Sequence, residues 1–340
     1  MGVWRTVYNT EKPHAWLLRR ERHKASMQCL TGFLIVISIV FHSLACQAGS
    51  ERVIYDGYEV NSFAELFSST YKKNKKFRIQ GELHLPQSSG KWPLIILQHG
   101  SGTVADSAKW FTTTTDKLNQ LGFAVFINDH FSGRNIPRHK QAWLNFPTRL
   151  SDNIEAVNIL SKDNRIDPNR IGFSGYSYGG MEALYLAYEP IQQLMDYPIG
   201  AFLSFYPDCT FMMGEEFDPD IKIIIAGKDD YVNPAHCINW ATRNKVSFEV
   251  WESAYHGFIR TKPVKKLEKN WTWFHCPEGG IVNLDGTKTY QGQVFQGSED
   301  EIEWEITKLC GTQGVKTGGT EQEFQRALLV TTRFFEATLK

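Results

Sequence analysis

The stretch Arg170-Ile171-Gly172-Phe173-Ser174-Gly175-Tyr176-Ser177-Tyr178-Gly179-Gly180 decides how the chain is read. It carries G-x-S-x-G as Gly175, Ser177 and Gly179. The pentapeptide alone is a modest signal, but here it follows a short apolar strand and opens a helical segment. That is the strand–turn–helix setting of a nucleophile elbow. The serine in such a turn sits on a strained backbone, and its glycine neighbours avoid Cβ clashes.

A serine hydroxyl needs a base before it attacks, and a third group to orient that base. In this setting the chain order is Ser, then Asp or Glu, then His. The apolar run Ile221–Ala226 is followed by Gly227-Lys228-Asp229-Asp230-Tyr231-Val232-Asn233-Pro234. This places a carboxylate past a strand end, where open α/β sheets put their sites. The run Val246–Trp251 leads into Glu252-Ser253-Ala254-Tyr255-His256-Gly257-Phe258. Ser177, an acid at Asp229 or Asp230, and His256 therefore occur in the expected order. His130, after Asp129, is the rival histidine, but it precedes the serine. Leu97-Gln98-His99-Gly100-Ser101-Gly102 follows another buried run, so backbone N–H groups of Ser101 and Tyr178 are the candidate oxyanion hole. The P-loop pattern G-x-x-x-x-G-K-[ST] is absent, which weakens a phosphate-cradle reading of this loop.

Working outward, strands are expected at Phe77–Leu85, Pro93–Gln98, Phe123–Asp129, Arg170–Ser174, Gly200–Tyr206, Ile221–Ala226 and Val246–Trp251. Short continuous runs rich in Ile, Val and Phe are what strands buried on both faces require. Helical periodicity lies between them, at Trp110–Leu121, Leu150–Ser161 and Gly179–Tyr188, and a closing helix is expected over Glu321–Leu339. The alternation predicts an α/β fold with a mostly parallel sheet and helices on both faces. A single domain over residues 49–340 is the economical reading, with a loop-rich excursion at 270–320. Little room for a lid domain lies between Pro207 and Ile221.

The 340 residues carry 37 Lys+Arg against 37 Asp+Glu, without the basic excess a nucleic-acid partner would require. Residues 1–26 are polar and basic, and an apolar run from Leu30 to Phe41 ends near the small residues Ala45 and Ala48. These are the parts of a secretory signal, and the run is short for a transmembrane helix, which needs about 20 residues. An uncleaved anchor over residues 1–48 is the alternative, and Met27 is an alternative start. Ser43-Leu44-Ala45-Cys46 lacks the Leu spacing of a lipidation site. An exported protein, periplasmic or secreted, would oxidise the four remaining cysteines, Cys209, Cys237, Cys276 and Cys310. Three pairings exist; Cys209–Cys237 and Cys276–Cys310 are favoured because each pair falls within one stretch of the fold. Zinc is the rival use, given His236-Cys237 and His275-Cys276, but no C-x-x-C appears.

Together these pieces resemble the α/β-hydrolase superfamily, and within it the dienelactone hydrolase-like family, from about Pro93 to Arg260. The matching segments are Gln98–Gly102, Asp129-His130-Phe131-Ser132-Gly133-Arg134, Arg165–Ile171, Gly175–Gly180, Tyr206-Pro207-Asp208-Cys209, Gly227–Cys237 and Ala254–Phe258. Secreted members are similar in carrying Tyr-Pro-x-Cys and a later Cys, which supports the pair Cys209–Cys237. The family's Gly-x-x-Asp-x-x-x-Pro piece, laid on Gly227 and Pro234, assigns the acid to Asp230. Dienelactone hydrolases proper use a cysteine nucleophile and two arginines for the substrate carboxylate. Ser177 in its place implies ordinary carboxylic ester hydrolysis through an acyl-enzyme. Arg260 matches one arginine position; Arg134 approximates the other, or else merely braces its loop. Trp110, Phe131, Tyr176 and Tyr231 are candidates to line the site. No metal or organic cofactor is implied, and the expected partner is a small-molecule ester. A serine peptidase and a non-catalytic binding protein on the same fold are the alternatives.

Overall fold

A computed structural model describes residues 49–340 apart from 138–139, 142–143, 215 and 218–219. The expected signal peptide or anchor lies outside the described residues. Among those described, no helix is long and apolar enough to cross a membrane.

Eight strands build the central sheet: β1 (Ser50–Tyr58), β2 (Lys76–His84), β3 (Trp92–Gln98), β4 (Ala124–Asp129), β5 (Ile166–Tyr176), β6 (Ala201–Phe205), β7 (Asp220–Ala226) and β8 (Ser247–Trp251). Their spatial order is β1-β2-β4-β3-β5-β6-β7-β8. The β1–β2 and β2–β4 pairs are antiparallel, and every later pair is parallel. Side-chain alternation explains the unbroken apolar runs. On β3, Leu94 and Ile96 enter one core while Ile95 and Leu97 enter another; on β4, Ala124 and Phe126 oppose Val125 and Ile127 in the same way.

Helices close both faces. On one side α1 (Ala108–Gln120) contributes Trp110, Phe111 and Leu118, and α6 (Glu321–Leu339) contributes Phe324, Ala327 and Phe335. On the other lie α2 (Phe146–Leu160), α3 (Tyr178–Leu186) and α4 (Pro234–Asn244), supplying Ile154, Leu184 and Ala241 among others. Local chemistry starts these helices. Asn145 and Asn233 cap α2 and α4 just ahead of Pro at the first turn, and Thr320 with Glu323 forms a capping box on α6.

The C-terminal excursion is more ordered than its weak periodicity suggested. Lys265–Thr272 pairs antiparallel with Thr312–Thr317. Gly280–Val282 pairs with Lys288–Tyr290 on one side and, in parallel, with Phe211–Met213 on the other. A helix α5 (Glu299–Cys310) follows, started by a Ser298/Glu301 capping box. The sequence hid this because Lys265–Thr272 and Thr312–Thr317 are mostly exposed and the other strands are only three residues each, too short to show an apolar pattern. Both expected disulfides are present: Cys209–Cys237 ties the loop after β6 to α4, and Cys276–Cys310 ties the excursion's turn to the end of α5.

Cys276 and Cys310 stand 34 residues apart, a loop whose closure contributes about 4 kcal/mol on the chain-entropy account. The double variant Cys276→Ser/Cys310→Ser is therefore expected to unfold at markedly lower urea, with a loss of about 3–4 kcal/mol. An unchanged urea midpoint would contradict this.

Candidate active site

The carboxyl ends of the parallel strands converge on one cleft. Strand β5 ends at Tyr176, and α3 begins at Tyr178, leaving Ser177 alone in the turn with φ 59° and ψ −117°. This left-handed φ is uncommon for a residue with a side chain. Close packing enforces it: a Cβ on Gly175 would lie 1.7 Å from the Gly179 carbonyl oxygen, so any side chain there would open the turn. Ser177 N–H donates to the Phe205 carbonyl at 2.9 Å, fastening the turn to the end of β6.

From the turn, Ser177 Oγ meets His256 Nε2 at 2.8 Å. His256 Nδ1 in turn meets a carboxylate at 2.7 Å, and that carboxylate is Asp229 Oδ2. Histidine and acid are both buried, at 5% and 4% exposure. The imidazole packs against two tyrosine rings, Tyr206 at 4.9 Å and Tyr231 at 4.8 Å between centroids.

The carboxylate that meets His256 is thus Asp229, and the expectation of Asp230 in that place is corrected. The turn after β7 is pinned by Lys228 N–H on the Ala254 carbonyl (2.8 Å) and Asp229 N–H on the Ala226 carbonyl (3.3 Å). The Asp229 side chain then faces His256, and its other oxygen accepts from Tyr231 N–H (2.8 Å) and Val232 N–H (3.1 Å). Asp230 faces away and accepts from Lys316 N–H at 2.7 Å. Gly227 to Pro234 gave the right segment but a register one residue too long.

Arg134 is also corrected. It forms a buried, two-pronged pair with Asp152, both contacts 2.7 Å, and donates further to the His130 and Tyr58 carbonyls. Burial pushes the Asp152 carboxyl up, but Arg134 and His130 outweigh it and hold the group below the usual carboxylate range. Arg134 is the brace of its loop. The rival His130 is fully buried, its ring nitrogens occupied by Asp152 and Glu182 at 2.9 Å each. Burial pulls its pKa down, and the two carboxylates more than reverse this, holding it above the ordinary imidazole value.

Arg260 does line the cleft, held by donation from Nη2 to Thr317 Oγ1. Ser101, Tyr176 and Tyr231 line it too, whereas Trp110 and Phe131 are buried packing outside it. Tyr178 N–H is the first of α3 and has no intrahelical carbonyl to meet. The cleft encloses about 270 Å³. Its wall includes Leu267, Asn270 and Thr317, from the strand pair Lys265–Thr272 and Thr312–Thr317, which the sequence analysis did not place at the site. Tyr206 was visible only as part of a matching segment. The cysteines beside His236 and His275 are both in disulfides, which removes the thiolates a zinc site would use.

A wide strip of chain matches one family: residues 79–273 align with the dienelactone hydrolase family. The protein belongs to the dienelactone hydrolase family, within the α/β-hydrolase superfamily, and is a hydrolase by class. A solved structure described as m3DLH is similar at 14% identity, TM-score 0.51, covering 86% of this chain and 99% of that one. A dienelactone hydrolase-like promiscuous phosphotriesterase from metagenomic libraries is similar at 14% identity, TM-score 0.49, with the same coverage. A putative dienelactone hydrolase from Klebsiella pneumoniae subsp. pneumoniae MGH 78578 is similar at 12% identity, TM-score 0.44, covering 62% of this chain and 89% of that one. No curated protein matches the chain significantly.

Removing one partner of a buried ion pair leaves the other uncompensated, at about 3–5 kcal/mol. Arg134→Ala is expected to lose stability on that scale in urea denaturation, with Arg134→Lys losing less. A substrate-contact role would instead leave stability unchanged.

Proposed function

We propose that the protein is a serine hydrolase of carboxylic esters working through an acyl-enzyme. The observation that carries this is the relay Ser177–His256–Asp229, with contacts of 2.8 and 2.7 Å on the wall of an open cleft. His256 Nε2 takes the proton from Ser177 as Oγ attacks the ester carbonyl. Asp229 keeps the other ring nitrogen protonated and stabilises the imidazolium that forms. The N–H groups of Ser101 and Tyr178 receive the oxyanion; one such donor contributes about 3–4 kcal/mol in comparable sites. Collapse of the tetrahedral intermediate expels the alcohol, which takes its proton from His256. Water, activated by the same ring, then releases the acid.

Substrate size and charge follow from the walls. A cleft of about 270 Å³ suits a small ester. Arg260 adds a cation to the wall, where it donates to the Thr317 hydroxyl, and favours an ester that also bears an anionic group. Two disulfides favour an oxidising compartment, which supports export.

The test is turnover of a short-chain p-nitrophenyl ester with labelling by a fluorophosphonate. Ser177→Ala is expected to abolish both. Asp229→Asn is expected to lower kcat by about 10⁴-fold, through the wrong imidazole tautomer. Asp230→Asn keeps an oxygen for Lys316 N–H and is expected to stay within a few-fold of the parent, roughly as other surface changes do. Labelling that survives Ser177→Ala, or a greater loss at position 230 than at 229, would overturn the assignment.

A further inference from the structure

An oxyanion donor must be aimed as well as placed. Gly100 packs against the nucleophile: a Cβ there would stand 3.2 Å from Ser177 Cβ and 2.7 Å from the Tyr176 carbonyl oxygen. The Gly100 carbonyl oxygen accepts from His99 Nδ1 at 2.8 Å and from Arg149 Nη1 at 3.4 Å. In a trans peptide the carbonyl and the following N–H point in opposite directions. Holding the Gly100 oxygen therefore sets the direction of Ser101 N–H, which has no acceptor among the described residues.

Both donors are themselves held. His99 Nε2 accepts from His130 N–H at 3.2 Å, which leaves the ring proton on Nδ1, facing Gly100. Burial, with the charges of His130 and Arg149 beyond it, keeps His99 neutral. Arg149 donates to the Leu144 and Gln141 carbonyls, and its guanidinium lies over the rings of Phe131 and Tyr178. It faces Glu182 at 3.6 Å, and Glu182 also binds His130 at 2.9 Å and Asn153 at 2.6 Å. Glu182 stands on α3, the helix that starts immediately after the nucleophile. A buried ion cluster of this kind is a weak source of stability by itself. What it delivers is a fixed relation between two loops.

We propose that His99 and Arg149 are positioning residues that hold the Gly100–Ser101 peptide with its N–H aimed at the oxyanion, and that Glu182 locks them to the nucleophile's helix. The inference rests on the serine-esterase reading of Ser177. It assigns a catalytic consequence to a buried network that touches no substrate.

The test uses the whole chain and two near-isosteric exchanges. His99→Asn keeps an amide donor where Nδ1 stands, whereas His99→Gln places its amide where Nε2 stands and cannot donate to Gly100. Arg149→Lys keeps the charge opposite Glu182 but loses the planar fork. The readouts are kcat per fluorophosphonate-labelled site, KM, and the inhibition constant of a trifluoromethyl ketone, whose adduct carries the oxyanion. Loss of an aimed donor costs about 10²–10³-fold in kcat, so misaiming one is expected to cost roughly 10- to 100-fold in His99→Gln and Arg149→Lys. KM should hold within about two-fold, the ketone should weaken in parallel with kcat, and His99→Asn should recover most of the loss. Equal kcat per site in the Asn and Gln variants, or KM moving in step with kcat, would overturn the proposal. A parent protein that the fluorophosphonate does not label at Ser177 would instead reject the esterase reading.

Discussion

The arrangement depends on a single backbone constraint, the left-handed turn at Ser177 with φ 59° and ψ −117°. Such a conformation costs of the order of 1–3 kcal/mol and persists only where its surroundings over-determine it. Here the sheet does so from three sides. Strand β5 delivers the chain, the Phe205 carbonyl on β6 takes the Ser177 N–H, and the loop after β3 packs against the turn through Gly100. The reward is a half-buried hydroxyl at the end of a buried sheet, within hydrogen-bond reach of a histidine brought from β8. Rigid strands set these distances, and loops only add the chemical groups at their ends.

Two adjacent aspartates divide the work after β7. Asp229 turns inward to the imidazole, while Asp230 turns outward and accepts from Lys316 N–H on the excursion. Thr272 Oγ1 adds a second tie, donating to the Tyr231 carbonyl at 2.7 Å. Thr317 adds a third, donating to the His256 carbonyl at 2.9 Å. The segment that looked like decoration in the sequence therefore holds both the acid's loop and the histidine's loop from outside. It also supplies part of the cleft's wall.

Much of this was legible because it rests on local rules. Strands buried on both faces must be continuously apolar, so β3, β4 and β7 announced themselves. The closing helix carried its apolar stripe openly. Strand β1 was missed because SERVIYDGY pairs on only one side, at the sheet edge, and its first residues are exposed. The contact between Ser177 and His256 was readable from strand-end placement. The acid was not, because two identical side chains one position apart differ only in which way a three-residue turn faces them. Arg134 misled for a related reason: its charge suited an anion, but Asp152, eighteen positions away on α2, already held both prongs. Long-range pairing of that kind leaves no local trace.

In the proposed mechanism hydroxyl, imidazole, carboxylate and two backbone N–H groups surround the same reacting atom. The most direct test of this arrangement is a crystal structure of the protein after reaction with a fluorophosphonate. Phosphorus is expected on Ser177 Oγ, with a phosphonyl oxygen within hydrogen-bond distance of the Ser101 and Tyr178 N–H groups and His256 still bonded to Asp229. An adduct on any other residue, or a phosphonyl oxygen turned away from both N–H groups, would contradict it.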